Sequence, residues 1–358
     1  MPRDHSAADA MSPAAPDAAS APRDDVTRAD VTRADAPRAD APRDGKPGVA
    51  SGRRPTVADT AQYVIIRILV GLLRPLGWRT ASRFGAWLGR FACQVVGIRR
   101  DVVQRHVRAA FPAFDEATVR RTVTASYESL GRTALETALL PSRSRAQLLD
   151  MVREVEGWEL LMGALAQGKG VICTAGHLGN WELGGSYMAA RGVPVAAITR
   201  RMANPRFDRY LRATRKALDV EVIHDGVAAR RVPRALGEGK LIAFLCDQDG
   251  IGLASTFVPF FGRPARTPRG PGVFALRRGG TPVLFATCFR RDDGHYRLVI
   301  ESVPGPDTGD READIDAVLL GFTERLEAHI RMAPGQYFWQ HRRWKRQPPD
   351  TPPHLREP

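Results

Sequence analysis

From residue 168 onward the chain alternates short apolar runs with amphipathic stretches. "GKGVICTAG" (168–176), "VPVAAIT" (193–199), "VEVI" (220–223), "KLIAFLCDQ" (240–248), "TPVLFATCFRR" (281–291) and "HYRLVIE" (295–301) are β-type runs. Helical segments at 181–191, 205–218, 228–238 and 270–278 separate several of them. Strands alternating with helices predict an α/β fold, with a mostly parallel central sheet flanked by helices. The last two runs, joined by "DDG", read as an antiparallel hairpin, which makes the sheet mixed. A final helix over 310–332 carries Ile315, Leu319, Phe322, Leu326 and Ile330 on one stripe.

Upstream the pattern is helical. Residues 101–150 have apolar positions at helical spacing, with Asp115 near a start and Pro141 just past an end. The most apolar run, Tyr63 to Leu73, is interrupted by Arg67 and closed by Arg74 and Pro75. A bilayer span needs about 20 apolar residues, so this run is short for one. Arg67, Arg74, Arg79, Arg83 and Arg90 interleave with Trp78, Phe84, Trp87 and Phe91. That pattern fits helices lying in a membrane interface, or an amphipathic pair covering the core. Residues 1–58 have hardly any apolar side chain larger than Val and repeat a five-residue Ala-Asp-Arg unit, so they read as a disordered tail. They hold no apolar stretch of the kind a secretory signal requires. The predicted organisation is therefore a tail (1–58), a helical, membrane-associated segment (59–150), an α/β core (151–348) that forms one domain with it, and a disordered end (349–358).

Charge sharpens the picture. The formal net charge is +14, yet residues 1–55 contain nine basic and nine acidic residues, so the excess belongs to the folded part. Such a surface expects anionic company: nucleic acid, acidic lipid, a phosphorylated substrate or an acidic carrier protein. Cys93, Cys173, Cys246 and Cys288 lie far apart, three of them on predicted strands, and read as buried free thiols.

Candidate chemistry centres on "TAGHLGNWELGG" (174–185). With eight His and 39 acidic residues in the chain, about one His with an acid five places on is expected by chance, so the spacing alone says little. The setting says more. A strand ends at Thr174, Gly176 and Gly179 permit a tight turn, and Asn180 is a credible N-cap for a helix from Trp181. His177 then lies at the C-terminal end of a strand, where open α/β sheets place ligands. Glu182, in the first helical turn, could turn back and fix one imidazole nitrogen, leaving the other as a base. The alternative is a satisfied loop histidine beside a helix-capping glutamate.

The motif resembles the HxxxxD/E block of the lysophospholipid-acyltransferase-like superfamily. In its H-x-x-N-W-E form it is similar to the late (lauroyl/myristoyl) acyltransferases of lipid A biosynthesis. "TRRMANPRFDRYLRATR" resembles that family's second block, through Arg200, Arg201, Asn204, Pro205 and Arg215. "AFLCDQDG" with "FVPFFGRPARTPRGPGVFALRRGGTPV" resembles the third, and "APGQYFWQHRRWKRQP" the closing one. The likeness covers roughly residues 60–348.

The resemblance implies an O-acyltransferase that moves a fatty acyl chain from a thioester, on acyl carrier protein or coenzyme A, to a glycolipid hydroxyl. The acceptor it implies is a lipid A precursor, or a related acceptor such as a phosphatidylinositol mannoside. His177, Glu182 and Arg215 take the catalytic positions. Asn180, Arg200, Arg201, Asn204, Asp247, Gln248, Asp249, Thr267, Arg342 and Arg343 fall at substrate-binding ones, with "HRRWKR" (341–346) a candidate docking patch. Backbone amides near Gly179, or an arginine, would meet the developing oxyanion. Neither a cofactor nor a metal is expected, and the implied place is the cytoplasmic face of the inner membrane, peripheral or single-span. Two other classes remain open: a metal-dependent hydrolase built on His177, Glu182 and Asp247, and a nucleic-acid-binding module.

Overall fold

The computed structural model describes residues 54–250, 252–277, 280–305 and 307–358. The expected tail therefore lies almost wholly outside the described residues.

Helices come first: α1 (Val57–Leu73), α2 (Trp78–Phe91), α3 (Arg100–Ala110), α4 (Glu116–Leu139) and α5 (Arg145–Met151). Local chemistry sets their starts. Thr56 and Asp59 form a capping box on α1, Asp115 caps α4, and Ser144 with Gln147 caps α5. Helices α2 and α4 pack backbone to backbone, because a Cβ on Gly85 or Gly89 would strike the main chain of α4. The alternating part follows: β1 (Val152–Glu156), α6 (Trp158–Ala166), β2 (Val171–Ala175), α7 (Trp181–Ala190), β3 (Val195–Thr199), α8 (Pro205–Lys216), β4 (Val220–His224), α9 (Ala228–Gly237) and β5 (Leu241–Leu245). Then come β6 (Ser255–Phe260), β7 (Arg263–Pro268), α10 (Gly270–Ala275), β8 (Val283–Arg290), β9 (Tyr296–Ser302) and α11 (Arg311–Met332).

Seven strands form one sheet in the order β1-β9-β8-β2-β5-β3-β4. All neighbours are parallel except the β8–β9 hairpin, so the mixed, mostly parallel α/β sheet is the one expected. Its central strands are buried on both faces. Val171 and Cys173 of β2 join Leu183 and Tyr187 of α7 in one core, while Ile172 joins Val123 of α4 and Phe322 of α11 in the other. Period-two alternation between two apolar layers gives the continuous hydrophobic runs of the sequence.

Three strands escaped the pattern. β1 is an edge strand added beside β9, and β6 with β7 forms a separate two-stranded hairpin. Residues 349–358 also differ from expectation: they are tied back by an Arg342–Glu357 pair (2.5 Å) and by Arg263 donating to the Arg356 carbonyl (2.7 Å).

The four cysteines are buried and free. Apolar side chains on the N-terminal helices are exposed instead: Ile65, Ile68 and Leu72 on α1, Trp87 and Phe91 on α2, then Val95, Val96 and Ile98. Among the described residues, no helix is long and apolar enough to cross a membrane.

Candidate active site

Strand β2 is central, and the turn at its C-terminal end carries His177. Gly179 adopts φ +67°, and a Cβ there would collide with the Cys288 carbonyl, so glycine alone closes the turn. Asn180 then starts α7, its Oδ1 accepting from the Leu183 amide at 2.9 Å. The ring of His177 packs edge-on to Trp181, with centroids 4.7 Å apart, and its side chain remains 18% exposed.

The carboxylate against the imidazole belongs to Asp247, just past β5. Oδ1 of Asp247 lies 2.7 Å from His177 Nδ1, and Oδ2 accepts from the His177 amide at 2.8 Å. Burial acts to raise this carboxyl's pKa, but the charge and hydrogen bonds of His177, with Arg343 behind, hold it below its ordinary value. An ionised Asp247 on Nδ1 selects the tautomer that keeps its lone pair on Nε2. Gln248 approaches the ring as well, its Nε2 3.4 Å from both nitrogens.

This corrects the pairing read from the sequence. Glu182 is not the group held on His177 Nδ1; its two oxygens are bound by Arg215, Nε to Oε2 at 3.1 Å and Nη2 to Oε1 at 2.5 Å. Burial disfavours the Arg215 charge, yet Glu182 beside it more than compensates and raises the guanidinium's pKa. His177–Asp247 and Glu182–Arg215 are thus two separate pairs.

Two spaces meet there. A polar groove of about 270 Å³ is lined by His177, Thr199, Arg200, Arg212, Arg215 and Gln248 among others. A mostly apolar pocket of about 90 Å³ lies under α7, against Leu178, Gly185, Met188, Ala197 and Leu298. Arg215 borders both.

The remaining sequence candidates divide. Arg200 and Gln248 face the groove; Arg201 is exposed outside its lining. Asp249 borders the groove, but its carboxylate is occupied by Arg266 (3.1 Å) and Arg346. Asn204 caps α8 and ties it to α1 through the Asp59 carbonyl (3.0 Å). Asn180, Thr267 and Arg343 are buried with internal partners, which corrects their reading as substrate contacts: Arg343 donates to Thr267 Oγ1 at 2.6 Å, and Asn180 to Glu136 at 2.8 Å. Arg342 is spent on Glu357. "HRRWKR" is consequently not an open docking patch, since Trp344 is fully buried against Phe260.

The amides near Gly179 are also committed. Those of Leu178, Gly179 and Asn180 donate to the carbonyls of Gly176, Gln336 and Cys288. The donors that face the groove beside His177 are side chains: Gln248, 3.4 Å from the imidazole, and Arg215. Sequence reading missed Arg212 in the groove and the buried Glu136 and Arg290 behind the turn. Only the strand order could have found the Asp247 partnership.

Comparison with known proteins places the chain in a family. The family model for bacterial lipid A biosynthesis acyltransferases matches residues 53–346. The lipid A biosynthesis lauroyltransferase of Escherichia coli (strain K12) is 27% identical over 78% of this chain and 90% of its own. The palmitoleoyltransferase of the same strain is 27% identical over 74% of this chain and 84% of its own. A phosphatidylinositol mannoside acyltransferase of Mycobacterium tuberculosis (strain ATCC 25618 / H37Rv) is 27% identical over 57% of this chain and 66% of its own.

Proposed function

Because the chain belongs to the bacterial lipid A biosynthesis acyltransferase family, and is an acyltransferase of lipid A or a related glycolipid, we propose how its site performs the transfer. The donor is a fatty acyl thioester on acyl carrier protein or coenzyme A, and the acceptor is a hydroxyl of a lipid A precursor. The observation that carries the proposal is the His177–Asp247 pair at the rim of a polar groove, one arginine away from an apolar cavity.

In this mechanism the acceptor's sugar-phosphate portion occupies the groove, where Arg200 and Arg212, each already beside a carboxylate (Asp225 and Asp208), turn their remaining N–H groups to phosphate. A few methylenes of the acyl chain enter the cavity, and the thioester carbonyl stands beside Arg215. His177 Nε2 takes the hydroxyl proton as the oxygen attacks the carbonyl carbon. Arg215 and Gln248 stabilise the oxyanion. Collapse breaks the C–S bond, and the imidazolium returns its proton to the departing thiolate, giving an ester and a free thiol. Asp247 stabilises the imidazolium throughout. Glu182 holds Arg215 in a fixed bidentate geometry, so its role is exerted through the guanidinium. The exposed apolar side chains of α1 and α2 rest on the cytoplasmic face of the inner membrane, a peripheral attachment supported by the surplus of positive charge.

Lipid mass spectrometry tests this directly. Expression of the chain in a strain lacking its own late acyltransferase adds one acyl mass to a single lipid, and that lipid identifies the acceptor. Addition to a mannoside instead of a lipid A precursor would move the acceptor to the mycobacterial class. No added acyl mass on any lipid would refute the reading.

A further inference from the structure

Behind the catalytic turn lies a charge pair that touches neither groove nor cavity. Glu136 of α4 is completely buried, and Arg290 at the end of β8 keeps only 11% of its side chain exposed, on a separate surface depression. Arg290 Nη2 meets Glu136 Oε2 at 2.6 Å, and Nε meets Oε1 at 3.2 Å. Such pairs are costly: desolvation offsets much of the Coulomb gain, and apolar replacements of similar size are often at least as stable. A buried pair kept for stability alone is therefore a poor explanation. Its neighbours suggest a better one.

Glu136 Oε2 also accepts from Asn180 Nδ2 at 2.8 Å. An ionised carboxylate can only accept, so it forces the amino end of the Asn180 amide toward itself. The Asn180 oxygen is thereby aimed at the Leu183 amide, which caps the helix bearing Glu182. Arg290 Nη2 donates to Thr133 Oγ1 (3.1 Å), whose hydroxyl donates in turn to the Gly179 carbonyl (3.1 Å). Gln336 brackets the Arg290 backbone, accepting from its amide (2.9 Å) and donating to its carbonyl (2.8 Å). The Gln336 carbonyl receives the Gly179 amide, and the His177 carbonyl receives the Phe338 amide. Directly, or through Thr133 and Gln336, these bonds lead from the pair to residues 177–183.

We propose that Glu136 and Arg290 are positioning residues, a buried clamp that sets Asn180 and so fixes where His177 and Glu182 stand. The clamp acts through the turn and contacts no substrate. Its catalytic consequence rests on the function proposed above; its structural consequence does not, and the two are read separately.

The test uses the full chain. Glu136→Gln leaves the Arg290 charge unpaired in the interior and is at risk of not folding, so Glu136→Leu with Arg290→Met, which removes both charges, is the principal variant. It should fold, with a lower urea midpoint than wild type, because buried Asn180 and Ser82 lose their acceptor. Its Leu183 amide should exchange hydrogen at least tenfold faster, and kcat should fall at least tenfold while KM for the acyl donor stays within twofold. Asn180→Ala, which keeps the charge pair, should reproduce the kcat loss, and combining all three changes should add nothing further. A folded double variant with unchanged Leu183 exchange would overturn the clamp, as would kcat losses that multiply in full. Should wild type itself transfer no acyl group, the proposed function fails, and Leu183 exchange still decides whether the clamp holds the turn. If the double variant does not fold, Asn180→Ala with unchanged Leu183 protection overturns the proposal by itself.

Discussion

His177 and Asp247 stand two residues beyond the ends of neighbouring parallel strands, and the register makes them partners. Ala175 pairs with Leu245 in the β2–β5 ladder, so positions 177 and 247 leave the sheet side by side and meet at 2.7 Å. Replacing His177 by Ala should cut kcat by several orders of magnitude in a protein that stays folded. Asp247→Asn keeps the shape but loses the charge that stabilises the imidazolium, so kcat should fall about 10²–10⁴-fold. Steady-state transfer assays on the purified variants, with circular dichroism as the folding control, check both. An Asp247→Asn enzyme turning over at the wild-type rate would remove the dyad.

A different signature is expected at Glu182 and Arg215. Arg215→Lys keeps a positive charge but cannot make two parallel bonds to one carboxylate. Oxyanion stabilisation should suffer, with kcat reduced about 10²-fold. Glu182→Gln should lose a comparable factor, because it frees the guanidinium rather than removing a base. If Glu182→Gln lowers kcat by several orders of magnitude while Asp247→Asn turns over near the wild-type rate, the orienting role returns to Glu182.

These two pairs show where sequence stops being legible. The strands of the main sheet from β2 onward, and the long helices, followed from period-two and period-3.6 patterns. β6 and β7 did not, because "STFVPF" and "RPARTP" interrupt the apolar alternation with proline and arginine. β1, "VREVE", is a mostly exposed edge strand whose short pattern offers little to read. At the site, His177, Glu182 and Arg215 were all visible as residues, but their pairing was misread. Five positions along the chain suggested contact. The contact came instead from strand order, which places β5 beside β2 and which composition does not encode. The buried arginine and tryptophan of "HRRWKR" were misread for a related reason: an aromatic-basic segment looks the same whether it covers a surface or plugs a core.

Acid should destabilise this protein well above the usual carboxylate range. Burial pushes the imidazoles of His106 and His341 down to about 4. An unfolded histidine titrates near 6.5, so above that pH both states are neutral and the full stability is present. As pH falls from about 6.5 toward about 4, the unfolded chain binds protons that the folded one refuses, and stability drops. The two together amount to a loss on the order of a few kcal/mol. Asp247, also held low, adds a further loss only below the ordinary carboxylate value near 3.9. Urea midpoints should therefore decline steadily from pH 7 to pH 4.5, and His106→Gln should flatten that decline. Midpoints independent of pH over this interval would contradict the burial argument.

Membrane attachment should depend on a few apolar side chains. Ile65 and Ile68 are 64% and 57% exposed on one side of α1, with Leu72 in line one turn on. Burying a large aliphatic side chain is worth about 1.5–3 kcal/mol, so replacing both isoleucines by serine should lower partitioning at least tenfold. Co-sedimentation with anionic vesicles measures it. Added salt should weaken binding of wild type and variant alike, since arginines supply the electrostatic share. Undiminished binding of the double serine variant would move the contact elsewhere.

Chain-length preference should be adjustable at Gly185. This residue lines the apolar cavity from α7, and a Cβ built on it meets nothing within 4 Å, so a larger side chain enters the space rather than colliding with backbone. Methionine at this position would occupy volume that the part of the acyl chain inside the cavity needs. Helix propensity works in the same variant's favour, because replacing an interior glycine gains about 0.5–1 kcal/mol. A loss of activity toward long donors could then not be blamed on unfolding. Gly185→Met should transfer its longest natural acyl group at least tenfold more slowly, while donors a few carbons shorter retain near wild-type rates. Competition assays with mixed acyl thioesters, read by mass of the acylated product, give the profile in one experiment. An unshifted profile would place the acyl chain outside this cavity.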